Sequence, residues 1–92
     1  MANAIVTLKI MPESVEIDLD ALETKAKKDI AEFAGQGDTK TEVEPIAFGL
    51  KAIKITFVMD EKLGSPDVVA EKIEAYDEVA SSEIIDVRRA IG

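Results

Sequence analysis

The hydrophobic period of this chain switches from two to about 3.6 and back, twice over, and that alternation restricts the fold more than any single motif does. From Ala4 to Ile10 the side chains alternate, with Val6, Leu8 and Ile10 on one face and Ile5, Thr7 and Lys9 on the other. This is a half-buried strand, ended by Met11-Pro12-Glu13-Ser14 because proline lacks a ladder donor. Asp18 then offers an N-cap, with Asp20 and Glu23 in the first helical turn. Leu19, Leu22, Ala26, Ile30 and Phe33 form one apolar stripe, and Gly35 is a candidate C-cap. Thr39 to Phe48 predicts a weaker strand, which Pro45 assigns to an edge or a bulge, and Gly49 marks a turn. Leu50 to Met59 is the clearest strand: Ile53, Ile55, Phe57 and Met59 face one way, and Ala52, Lys54, Thr56 and Val58 the other. Asp60 to Gly64 reads as a loop. Ser65-Pro66-Asp67 starts a second helix, with Val69, Ile73 and Tyr76 as its buried stripe and an end near Tyr76-Asp77. A last strand is expected from about Ser82 to Arg89, its register left open by the adjacent Ile84 and Ile85.

The order is β-α-β-β-α-β, two split β-α-β halves. The expected fold is therefore α+β, a ferredoxin-like sandwich with two helices on one face of a four-stranded antiparallel sheet. The other face carries Thr7, Lys9, Lys54 and Thr56 and can stay wet. With 92 residues the chain allows one domain, residues 1–92. The N-terminus lacks the basic region of a signal peptide, and no apolar run approaches the roughly 20 residues of a membrane helix. A soluble, cytoplasmic protein is expected, a monomer on its own.

The chemistry open to the chain is narrow. It has no Cys and no His, which removes disulfides, thiolate catalysis, Cys-based metal sites and the commonest metal ligand and general base. Ser14, Ser65, Ser81 and Ser82 look like caps and loop residues. Asp18/Asp20, Glu42/Glu44 and Asp60/Glu61 are carboxylate pairs of the kind that 19 acidic residues produce by chance, without the spacing of a calcium loop. Gly35-Gln36-Gly37 is better explained as a helix-ending loop than as a phosphate cradle. A net charge of −8 disfavours nucleic acid and anionic membrane. RNA recognition on this topology needs aromatic residues on the first and third strands; the first has none, and Phe57 lies on the face assigned to the core. Neither an enzyme, a cofactor nor a metal site is expected.

Two features remain. Both arginines of the chain are adjacent, Arg88-Arg89, near the C-terminus of an acidic protein. They either protect a strand edge or deliver a cation to a partner's anionic or metal-bearing site. Phe48, beside Gly49 at the turn between the middle strands, either folds back onto a helix end or anchors a partner.

Three segments carry a resemblance that spans nearly all of the chain: Ile5-Val6-Thr7-Leu8-Lys9-Ile10-Met11-Pro12-Glu13-Ser14, Glu44-Pro45-Ile46-Ala47-Phe48-Gly49-Leu50, and Val79 through Arg89. The chain resembles the archaeal translation elongation factor 1-beta family, and is similar to the C-terminal exchange domain of the eukaryotic subunit. The central segment is the most specific. The resemblance implies the ferredoxin-like fold and guanine-nucleotide exchange on translation elongation factor 1-alpha, so that GDP leaves, GTP enters and aminoacyl-tRNA is carried to the ribosome. It implies binding without covalent chemistry. It also implies a cation pushed into the partner's Mg²⁺ pocket. Eukaryotic relatives use a Lys next to the C-terminus; the corresponding position here is Arg89, with Arg88 beside it, and the chain runs on through Ala90, Ile91 and Gly92. Arginine is a planar fork rather than a compact ammonium, so the fit differs. Phe48, with Gly49, matches the family's central motif and implies a partner contact. The N-terminal regions of eukaryotic relatives are missing, so the exchange module alone is expected. The alternative function is a ferredoxin-like ligand-sensing or oligomerising regulatory module that uses the open sheet face.

Overall fold

A computed structural model describes residues 3–35 and 37–90. The elements follow in the expected order: β1 (Asn3–Pro12), α1 (Leu19–Ala34), β2 (Thr39–Ala47), β3 (Leu50–Asp60), a 3-10 turn (Glu61–Leu63), α2 (Asp67–Glu74) and β4 (Val79–Ala90). One four-stranded sheet has the strand order β2-β3-β1-β4, with every neighbouring pair antiparallel. This is the ferredoxin-like arrangement. Gln36, Met1-Ala2 and Ile91-Gly92 lie outside the described residues.

Alternation in β1 and β3 builds the core. Val6, Leu8 and Ile10 lie directly across from Phe57, Ile55 and Ile53, and all six are buried. The helices close over them with Leu22, Ala26 and Ile30 from α1 and Val69, Ala70 and Ile73 from α2. Asp18 caps α1 by accepting hydrogen bonds from the backbone N–H groups of Asp20 and Ala21 at 3.0 and 3.3 Å. Gly35 ends the helix at φ +88°, a backbone conformation that favours glycine. The N-cap position of α2 is Pro66 rather than Ser65, and Pro66 offers no side-chain cap; Ser65 Oγ, one residue earlier, accepts from the Asp67 N–H at 3.1 Å.

The structure corrects the boundaries of α2 and β4 and adds a turn to one loop. Helix α2 ends at Glu74 rather than Tyr76-Asp77, because Tyr76 turns back to donate its hydroxyl hydrogen to Asp29 of α1. Strand β4 starts at Val79 rather than about Ser82, since Val79 reaches Pro12 across the sheet. The Asp60-to-Gly64 loop contains the 3-10 turn, capped by Asp60. A register shift opposite Thr7 and Leu8 resolves the Ile84/Ile85 ambiguity. Ile84 pairs with Leu8 on the core side, while Ile85 falls at the bulge and is largely exposed.

The face away from the helices is a lattice of charge and hydroxyl groups. Across the sheet stand Glu42, Lys54, Lys9 and Glu83 in register. Glu44 relieves the Lys54–Lys9 juxtaposition, lying 2.5 Å from Lys54 and 4.0 Å from Lys9. One row further along, Thr7 Oγ1 meets Thr56 Oγ1 at 3.3 Å.

These ion pairs shape the acid and base limits of the fold. Hydrogen bonds from Lys27, Lys72, Lys54 and Lys25 hold the carboxyls of Glu23, Glu32, Glu44 and Glu78 below their ordinary value of 4.5. Glu44 and Glu32 in turn raise Lys54 and Lys72 above 10.5. A carboxyl with a lower pKa in the folded state stabilises the fold above its unfolded value, and the contribution disappears as the pH falls through the folded value. A lysine with a raised pKa stabilises below its unfolded value and loses that contribution as the pH rises through the folded value. Without histidine, no side chain has an ordinary pKa near neutrality. The melting temperature is therefore expected to be level from pH 6 to 8, to fall on acidification below 4.5 and to fall on alkalinisation above 10.5. Thermal melts across pH 3 to 11 check this, and a step between pH 6 and 8 would contradict it.

Candidate functional site

Phe48 and Gly49 form the two-residue loop of the β2–β3 hairpin, between the paired residues Ala47 and Leu50. Their φ angles are +55° and +81°. Both central residues of such a turn need positive φ to match the twist of the strands, which Gly49 adopts freely. Phe48 does not, since a non-glycine residue in this region is strained by roughly 1–2 kcal/mol. It gains nothing by burial, because its side chain is 102% exposed relative to the reference state. The sequence left open a Phe48 folded back onto a helix end; the structure instead has the ring projecting from the hairpin tip. Val15 and Ile46 are exposed at the same end. A shallow cavity of about 150 Å³ adjoins the turn, lined by Pro12, Val15, Ile17, Leu19 and Gly49 among others.

Arg88 and Arg89 lie at the other end of the sheet. Antiparallel pairing on both sides of β1 makes β3 and β4 run the same way, so both finish beside the start of β1. Arg89 stands across from Ala4 and Arg88 across from Ile5. The residues that follow β3 consequently come up beside the end of β4. Arg89 donates from Nε to Glu61 Oε2 at 3.0 Å and from Nη2 to Glu61 Oε1 at 3.1 Å. This bidentate pair is exposed, and the Glu61 carboxylate raises the guanidinium pKa above its already high ordinary value. Arg88 Nε donates to Asp86 Oδ2 at 2.9 Å. The expected cationic tip is thus a tip whose arginines are each matched by a carboxylate of the same chain. Val87 and Leu63 are exposed apolar residues in the flanking segments.

Phe48 and Arg89 do not share a pocket. Strand β3, running from Leu50 to Asp60, separates the two ends by about 30 Å at ~3.3 Å per residue. The longest dimension of the molecule is 43 Å. A single partner touches both only by lying along the sheet.

Sequence reasoning located both arginines and the hairpin phenylalanine, but took Glu61 only as half of a chance carboxylate pair and missed its bond to Arg89. Glu61 is 28 positions from Arg89 and belongs to no local motif. The sheet order supplied the only signal, because it brings the ends of β3 and β4 to the same side. The other carboxylate pairs of the sequence are largely taken up in caps and ion pairs: Asp18 caps α1, Asp60 caps the 3-10 turn, and Glu44 bridges two lysines. Among the described residues no group of three acidic side chains converges as a metal-ion cage.

Comparison with known proteins adds to this geometry. The family model described as the EF-1 guanine nucleotide exchange domain matches residues 5–90. Elongation factor 1-beta of Methanosphaera stadtmanae is 42% identical over 89 residues, covering 97% of this chain and 98% of that protein. Elongation factor 1-beta of Methanobrevibacter smithii is 43% identical over 89 residues, with the same coverage. Elongation factor 1-beta of Pyrococcus horikoshii is 43% identical over 88 residues, covering 95% and 94%. Among solved structures, BlrP1 BLUF superposes with a TM-score of 0.58 at 11% identity. That alignment covers 98% of this chain but only 56% of the other, and it shows a shared fold alone.

Proposed function

The chain belongs to the EF-1 guanine nucleotide exchange domain family and is a guanine-nucleotide exchange factor of translation elongation; on that premise we propose that it holds elongation factor 1-alpha at both ends of its sheet and loosens GDP with the arginine end. The observation that carries this reading is the location of both arginines of an acidic chain at one end of the sheet, about 30 Å from a strained, fully exposed phenylalanine at the other.

An exchange factor makes and breaks no covalent bond. It needs only to bind the loosened or nucleotide-free GTPase better than the GDP-bound one, which shifts the population toward release. GTPases hold GDP through phosphate contacts and Mg²⁺. A guanidinium brought to that site repels the metal and gives the anionic groups around it a substitute cation. Arg89 carries this role, with Arg88 beside it. Phe48 supplies apolar attachment at the far end, and Gly49 gives the turn the shape that presents it. A Phe in a strained turn that buries nothing on its own chain is well suited to burial on another. The protein acts on its partner as a monomer in the cytoplasm, without contacting nucleic acid itself.

The direct test is the release of a fluorescent GDP from elongation factor 1-alpha of the same organism. Micromolar amounts of this protein are expected to accelerate release; an unchanged rate would overturn the reading. Phe48→Ala is expected to weaken the complex about thirty-fold, the magnitude of a binding hot spot. A titration of exchange rate against protein concentration measures this.

A further inference from the structure

The Arg89 fork is already occupied when the protein is free. Glu61 takes its Nε and Nη2 edge with both carboxylate oxygens, at 3.0 and 3.1 Å. The Nη1 side of the guanidinium is not used by this pair. The neighbouring Arg88 is paired separately with Asp86. We propose that Glu61 is a specificity-determining residue acting through Arg89, a built-in competing anion that reserves the guanidinium for a pocket more strongly anionic than a lone phosphate. This rests on the assignment of Arg89 to the partner's metal site.

Two opposite effects of Glu61 can be weighed. Holding a long side chain in one orientation lowers the ordering cost of binding. For an exposed pair that gain is small, because water screens it and the side chains remain largely free. The Glu61 charge also repels any anion that approaches the other side of the guanidinium, and it engages the edge best suited to a bidentate contact. Both consequences oppose the action of Arg89 on an anionic site, and the repulsion persists even if Glu61 stays in place in the complex. The net effect of Glu61 is therefore a brake. A brake of this kind favours selectivity: isolated phosphates on RNA or free nucleotides compete with the carboxylate less well than clustered carboxylate and phosphate groups do.

Glu61→Gln tests this with the full chain, since glutamine keeps the shape and one acceptor while removing the charge. The maximal rate of GDP release is expected to rise about two- to five-fold, the range that exposed ion pairs span. The half-saturating protein concentration should change little, because attachment is assigned mainly to Phe48 and the rest of the surface. In an Arg89→Ala background the same substitution should have no effect, a coupling that a purely structural role for Glu61 would not produce. An unaltered or lower maximal rate for Glu61→Gln, or an equal rise without Arg89, would overturn the proposal. If Arg89→Ala alone leaves exchange untouched, the assignment of Arg89 fails instead, so the two failures are separable.

Discussion

Arg89→Ala is expected to slow the maximal rate of GDP release by about thirty-fold or more, the scale of removing one member of a desolvated charge pair at an interface. The affinity of the complex should change much less, because Phe48 and the rest of the surface remain. The physical reason is the separation of roles along the sheet. On the proposed assignment the arginine end meets the nucleotide site, where its charge acts on the metal, and the hairpin end about 30 Å away provides attachment. Removing the charge leaves a protein that still docks but no longer disfavours the GDP state. Stopped-flow release of labelled GDP at saturating protein measures the maximal rate, and half-saturation measures attachment. Equal maximal rates for Arg89→Ala and the parent would move the role to Arg88 or remove the cation from the mechanism. The melting temperature of the variant should stay close to that of the parent, since the Arg89–Glu61 pair is exposed.

Phe57→Ala is expected to have the largest effect on stability. Phe57 is 2% exposed, faces Val6 across the sheet and lies in the cluster closed by both helices. Truncating such a phenylalanine costs about 3–5 kcal/mol. A domain of this length has roughly 5–14 kcal/mol of total stability, so the loss is a large share of it. The melting temperature should fall by on the order of 15 °C or more. Phe48→Ala is the internal control. It changes the same residue type at an exposed position and should alter stability by no more than about 0.5 kcal/mol. Thermal melts of the two variants side by side check the contrast. A comparable loss for Phe48→Ala would mean that the hairpin ring packs on its own chain, and its role as an attachment point would fail.

The periodic elements were legible because the forces that make them are local. Asp18 and Gly35 bound α1 where the sequence placed its ends, and the stripe from Leu22 to Ile30 is the buried one. Pro45 signalled an edge, and β2 is an edge strand with a register shift beside it. The misplaced boundaries were those decided by distant contacts: the end of α2, where Tyr76 bonds to Asp29 47 positions away, and the start of β4, where Val79 pairs with Pro12. The candidate site was legible in part. Its residue types stood out because both arginines were together and one aromatic residue sat at a turn with little core to enter.

Hydrophobic period, caps and charge determined by themselves the order of elements, the faces they bury and the chemistry the chain lacks, because each depends on residues a few positions apart. Only the tertiary structure decided that Phe48 and Arg89 stand at opposite ends of one sheet, and that Glu61 holds Arg89. Those relations follow from strand order, which is settled when several surfaces pack together at once and leaves no trace in the spacing of neighbouring residues.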